Sequence, residues 1–159
     1  MSGTPARVVI IGVGNAFRGD DGAGIAVAQQ LAEQAPAGTE VLEESGEGAA
    51  LAEAWKGAQL AIVVDAIRSG GTPGTIRRFD AREGPVGDEP PGRSTHGFGI
   101  SSAIELARAL NELPPQLIVY GIEGRDFALG EKLSPAVEKA VPRVAAQVLS
   151  EEPESARVR

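Results

Sequence analysis

Asp21, Asp65 and His96 are the residues of this chain whose types and spacing could do chemistry. Asp21 stands in Asp20-Asp21-Gly22-Ala23-Gly24, just after a glycine turn, Gly12-Val13-Gly14-Asn15. Asp65 closes the apolar run Leu60 to Val64, and His96, the single histidine, stands in Ser94-Thr95-His96-Gly97. Each has an ordinary reading when taken alone. An acid at a helix start acts as a cap, an aspartate at a strand end bonds its own backbone in a turn, and a lone loop histidine is commonly solvent-exposed. Together they supply two oxygens and one nitrogen. That set suits a divalent ion such as nickel, zinc, manganese or iron(II). Three protein ligands leave coordination positions open, as an active site requires. The chain has no cysteine, so no soft ligand is available and the expected affinity for a free ion is modest.

The glycine turn does not fit nucleotide chemistry. A dinucleotide fingerprint needs a third glycine where this chain has Phe17. The spacing from Gly14 to Gly19 matches a P-loop, but Asp20-Asp21 follows where Lys-Ser/Thr is required, and an acid pair repels a triphosphate.

The elements that must position these residues follow from the pattern. Short apolar, β-branched runs at Arg7–Val13, Glu40–Leu42, Leu60–Val64, Thr75–Phe79 and Leu117–Tyr120 predict five strands. Helical spacing appears at Ile25, Ala28, Leu31, Ala32 and Ala35, over Ala49–Trp55, and at Ile100, Ala103, Ile104, Ala107 and Leu110. A fourth helix opens on Ser134-Pro135, an N-cap followed by proline, and continues through Val137, Val141, Val144, Ala145 and Val148, with Pro142 as a possible kink. Alternation of such strands with helices predicts an α/β sandwich with a mostly parallel sheet. Ligands gather at the C-terminal ends of parallel strands. Asp21 and Asp65 can meet there only if the first and third strands are neighbours. Ala81–Arg93, with three prolines and three glycines, reads as a mobile surface loop leading to His96. Residues 1–149 are expected to form one domain, with a frayed, charged tail over 150–159. Of the two adjacent acids, Asp20 is expected to be the helix cap and the less important one. Asp65, nearest the sheet, is the site residue whose replacement is expected to cost some stability.

The formal net charge is −7 and no basic block is present, which argues against nucleic acid. No apolar run reaches the roughly 20 residues of a membrane span, and no signal-peptide pattern is visible. The absence of cysteine fits a cytoplasmic protein.

The chain resembles the hydrogenase maturation proteases. The resemblance is carried by Gly12-Val13-Gly14-Asn15 with Asp20-Asp21-Gly22, by Val64-Asp65-Ala66, by Pro73-Gly74-Thr75, by Ser94-Thr95-His96-Gly97 and by Leu133-Ser134-Pro135-Ala136-Val137-Glu138. It implies a three-layer α/β sandwich, a twisted five-stranded sheet with helices on both faces. It also implies an endopeptidase that removes a C-terminal extension from the large-subunit precursor of a nickel–iron hydrogenase after nickel insertion. Asp21, Asp65 and His96 are then the catalytic and metal-binding residues, and the nickel arrives on the substrate. With no Cys–His or Ser–His–Asp set to hand, hydrolysis is expected to be metal- or carboxylate-assisted. A non-enzymatic chaperone that senses loaded precursor would use the same residues. One departure concerns the second strand, which relatives often end in Asp-Gly-Gly-Thr and this chain ends in Glu43-Glu44-Ser45-Gly46.

Overall fold

Val8 to Val13 holds only valine, isoleucine and one glycine, so a strand built from it must be covered on both faces. The computed structural model describes residues 6–46, 48–86, 100–130 and 132–153. In it this run is β1 (Val8–Val13), followed by a 3-10 turn (Gly19–Gly22) and α1 (Ala23–Gln34). Then come β2 (Thr39–Glu44), α2 (Gly48–Trp55), β3 (Leu60–Ile67), β4 (Ile76–Asp80), α3 (Ser101–Ala109), β5 (Gln116–Glu123) and α4 (Pro135–Leu149). The sheet order is β2-β1-β3-β5-β4. All pairs are parallel except β4 with β5. The first and third strands are neighbours, Val8 to Gly12 lying in register with Leu60 to Val64.

Alternation along the strands sorts the core into two layers. Val9, Ile11 and Val63 face one side with Leu51, Trp55 and Ile104, from α2 and α3. Ile10, Ile62 and Val64 face the other with Val27, Leu31 and Val144, from α1 and α4. Each such side chain contributes roughly 1.5–3 kcal/mol when fully buried, so the central strands dominate the stability of the fold. The expected three-layer sandwich is the observed one.

Three local expectations change. β3 does not stop at Val64 but runs on to Ile67, so Asp65 lies within a fully buried strand rather than at its end. The start of the loop expected to be mobile is anchored: Ala81 and Val86 are buried, and the Arg108 guanidinium donates to the carbonyls of Ala81 and Gly84. Residues 87–93 of that loop lie outside the described residues. Of the tail expected to fray over 150–159, residues 154–159 lie outside the described residues, while within 150–153 Glu151 receives both Nε and Nη2 of Arg78, at 2.7 and 3.1 Å, and the Tyr120 hydroxyl. Burial and then the hydrogen bond to Glu151 push the Tyr120 pKa up, which keeps the hydroxyl a donor. α4 passes through Pro142 without interruption.

The edges of the sheet are charged. β2 carries Glu40, Glu43 and Glu44, and Arg7 pairs with Glu40 at 2.7 Å. β4 carries Arg77 and Arg78.

Helix α1 lies so close to the sheet that one position tolerates no side chain. A Cβ on Gly24 would stand 2.2 Å from the Val64 carbonyl oxygen and 2.5 Å from that of Val13. Both obstacles are backbone, so neither can rotate away. Gly24→Ala is therefore expected to lift the helix off β1 and β3 at a cost of about 2–3 kcal/mol, measurable by urea denaturation. An alanine variant as stable as the parent would show that this contact does not set the helix position.

Candidate active site

The chain leaves β1 through Gly14, at φ 144°, where a Cβ would meet the Asp21 carbonyl oxygen at 1.9 Å. Glycine permits both the dihedral and the contact. The turn then folds back on itself. The Asn15 N–H donates to the Asp21 carbonyl at 3.2 Å and to its Oδ2 at 3.0 Å, while Asn15 Oδ1 accepts the Phe17 N–H at 2.9 Å. Asp21 is held half-buried at the C-terminal end of the sheet, two residues before α1. Because α1 is seated against Val64, Asp21 comes close enough to Asp65 for their charges to interact.

Electrostatics mark these two acids. Asp65 is 6% exposed and accepts the Ala66 N–H at 2.8 Å. Burial pushes its pKa well above the usual carboxylate range, the Asp21 charge adds to the rise, and the Ala66 hydrogen bond opposes it. Burial also raises Asp21, against the Asn15 hydrogen bond and the charges of Arg18 and Arg68. Two carboxylates in this arrangement resist double ionisation. A cation beside them would relieve both the burial and the repulsion, so the pair fits a metal on chemical grounds. Among the described residues no third His, Cys, Asp or Glu joins them. His96 lies outside the described residues. The chain enters and leaves its segment at Val86 and Ile100, both packed in the core layer that includes Val63 and Ile67. Strand alternation aims Asp65 toward that same layer.

Asp20 is not a helix cap. Neither the 3-10 turn nor α1 has a side-chain cap bond. Its fully buried carboxylate instead accepts four hydrogen bonds: from the N–H groups of Arg125 (2.7 Å), Asp126 (3.0 Å) and Ser134 (2.7 Å), and from the Ser134 hydroxyl (2.8 Å). Burial alone would raise its pKa, but these bonds outweigh it and the pKa is lowered. Asp20 thereby ties the Asp21 loop to the chain between β5 and α4.

Two further contributors were not singled out in the sequence. Glu123, 2% exposed at the end of β5, accepts the Ser69 N–H at 2.9 Å and its hydroxyl at 2.6 Å, which fixes the start of the β3–β4 loop. That loop opens with Arg68, whose guanidinium lies 4.5 Å from the centre of the Phe127 ring. An acid directly after the apolar run Leu117–Ile122 was the available signal for Glu123. Nothing local marked Arg68. The departing acids Glu43 and Glu44 pair with Gly12 and Val13 of β1, and the Glu44 carbonyl accepts the Gly14 N–H at 3.0 Å, so they border the same sheet end.

The family profile of the hydrogenase maturation proteases matches residues 25–151. The chain belongs to this family. Relatives agree across nearly its whole length. The hydrogenase expression/formation protein HupD of Rhodobacter capsulatus is 28% identical over 152 residues, covering 92% of this chain and 71% of its own. The hydrogenase maturating endopeptidase HybD from E. coli superposes with a TM-score of 0.74 at 26% identity, covering 91% and 90% of the two chains. HybD from Thermococcus kodakarensis, a nickel–iron hydrogenase maturation protease, gives 0.70 at 29% identity, with 91% and 99% covered. The protein is thus an endopeptidase, and the chaperone alternative falls away.

Asp20 and Asp65 are expected to titrate with opposite signs. The lowered pKa of Asp20 contributes stability that is present above the unfolded carboxylate pKa, about 3.9, and is lost as pH falls through the folded value. Asp20→Ser leaves part-buried N–H groups unanswered and is expected to cost about 1–3 kcal/mol at neutral pH. A Tm within a degree of the parent would contradict that. For Asp65 the raised pKa means stability that is present in acid and lost as pH rises through the folded value. Asp65→Asn keeps the acceptor for Ala66 and removes the charge. Contrary to the loss expected from sequence, it should stabilise the chelator-treated protein by on the order of 1 kcal/mol, or about 2–4 °C. The gain should grow from pH 4 to pH 8 in thermal melts. A difference that stays flat with pH would refute the buried-charge account.

Proposed function

We propose that this endopeptidase removes the C-terminal extension of a nickel-loaded nickel–iron hydrogenase large-subunit precursor, in the cytoplasm, with Asp21, Asp65 and His96 as the residues that meet the substrate's metal. The observation that carries the reading is the pair of half-buried Asp21 and buried Asp65, two acids that disfavour joint ionisation until a cation arrives. Free enzyme keeps a proton on the pair more readily than an exposed carboxylate would. Precursor nickel would displace that proton and draw both oxygens onto the ion, with the neutral His96 imidazole as third donor. An empty precursor offers no such exchange and docks without this anchor. The partner is therefore a protein that carries its own metal, and nucleic acid and membrane have no place in the reading. The same pair is available for proton transfer at the scissile peptide, one carboxyl holding a proton while the other accepts one.

The test is a processing assay with nickel-loaded and empty precursor on four proteins. Wild type is expected to cleave only the loaded form. Asp21→Asn, Asp65→Asn and His96→Ala are each expected to lose 100-fold or more of the activity, on the order of what a general acid–base or metal-anchoring group supplies, with unchanged circular dichroism. Docking of loaded precursor should weaken as pH falls through the histidine range, about 6.5, with the raised pKa of Asp65 acting in the same direction. Full activity in the Asp65 variant, or docking flat from about pH 5 to 8, would remove the metal-cleft reading.

A further inference from the structure

Phe17 and Leu129 are among the large apolar side chains that face solvent, 63% and 77% exposed. They are 112 residues apart in sequence, yet their loops are bound together. The Gly130 N–H donates to the Phe17 carbonyl at 2.9 Å, the Gly19 N–H to the Gly130 carbonyl at 2.7 Å, and the Asp20 N–H to the Asp126 carbonyl at 2.8 Å. Beneath them the Asp20 carboxylate clamps the same two segments with its four hydrogen bonds. The result is a braced apolar ledge rather than two loose tips. Neither side chain gains from folding while exposed, and adjacent exposed apolar groups on a fixed support mark an interaction surface.

The ledge is continuous with the carboxylate pair. Asn15 fixes both, receiving Phe17 on its side chain and donating its N–H to Asp21. The ledge also has a positive fringe in a chain of net charge −7. Arg18 follows Phe17, Arg125 stands near the start of the partner loop beside the single acid Asp126, and Arg68 lies over Phe127. The charges of Arg18 and Arg68 reach Asp21 itself.

We infer that Phe17 and Leu129 form a docking ledge for the protein substrate, accepting an apolar surface patch flanked by acidic side chains and so delivering the neighbouring peptide to Asp21 and Asp65. This inference rests on the proposed precursor processing. The occupant is identified by continuity with the catalytic pair and by charge. A second copy of this acidic chain is the other occupant the test must separate. Preorganisation gives the ledge its value, because a braced surface loses little conformational freedom on binding.

The experiment compares wild type, the double variant Phe17→Ser/Leu129→Ser and a control, Leu106→Ser/Leu110→Ser, which alters the exposed Leu106 of α3 and the exposed Leu110 just after it. Steady-state cleavage of nickel-loaded precursor, direct precursor binding and the oligomeric state by light scattering are measured for each. The ledge variant is expected to raise KM and Kd about tenfold or more, as loss of an interfacial anchor does, with a much smaller effect on kcat and an unchanged Tm. The control should match wild type in all three. An unchanged KM and Kd in the ledge variant, with wild type cleaving normally, overturns the ledge and leaves precursor processing standing. Wild type that binds loaded precursor through the ledge without cleaving it instead overturns the processing reading. A wild-type dimer that the ledge variant alone abolishes shows that a second copy occupies the ledge, and also overturns the inference.

Discussion

Asp21 and Asp65 repel each other, and the first two dozen residues of the chain are arranged to hold them together all the same. β1 and β3 run side by side, which brings their C-terminal ends to one place. Gly24 lets α1 rest on the backbone of both strands. Asn15 grips Asp21 by backbone and carboxylate at once. Core packing, of which there is ample on both faces of the sheet, supplies the stability that keeps two mutually unfavourable acids in place. The site is thus the part of the fold least satisfied with itself, and that dissatisfaction is what makes a cation welcome.

The neighbouring Asp20 shows how far an adjacent, identical residue can diverge. One residue back along the chain, its carboxylate points into four donors and becomes a structural pin. Two aspartates in sequence therefore split the work. One is comfortable as an anion and locks the loops, while the other is strained as an anion and waits for a partner. The same lock braces Phe17 and Leu129, so the rigidity that positions the chemistry also shapes the surface around it.

Much of this was legible in the residues. The two periodicities, of strand and of helix, located all nine regular elements named from the sequence, and the pairing of strands one and three followed as a condition the site imposed. The limits have physical causes. Asp65 looked like a strand terminus because a charge normally ends an apolar run, yet Ala66 and Ile67 continue β3 beyond it. The role of Asp20 was hidden because its donors lie 105 to 114 residues downstream, where no local pattern reaches. Ala81 to Val86 read as loose from its turn residues, while its order comes from Arg108 on a helix that starts later in the chain. His96 was legible as chemistry and falls outside the described residues.

The edges of the sheet complete the account. An open sheet offers unpaired backbone on two sides, and here those sides carry opposite charge, acidic along β2 and basic along β4. Charged side chains along an edge strand oppose the addition of another strand to it. Some of these charges are answered within the chain: Glu151 pairs with Arg78, and Arg7 pairs with Glu40. The short stretch after α4 therefore answers part of the basic β4 edge from within the same molecule, so that the end of the chain belongs to the edge of the sheet as well as to the last helix.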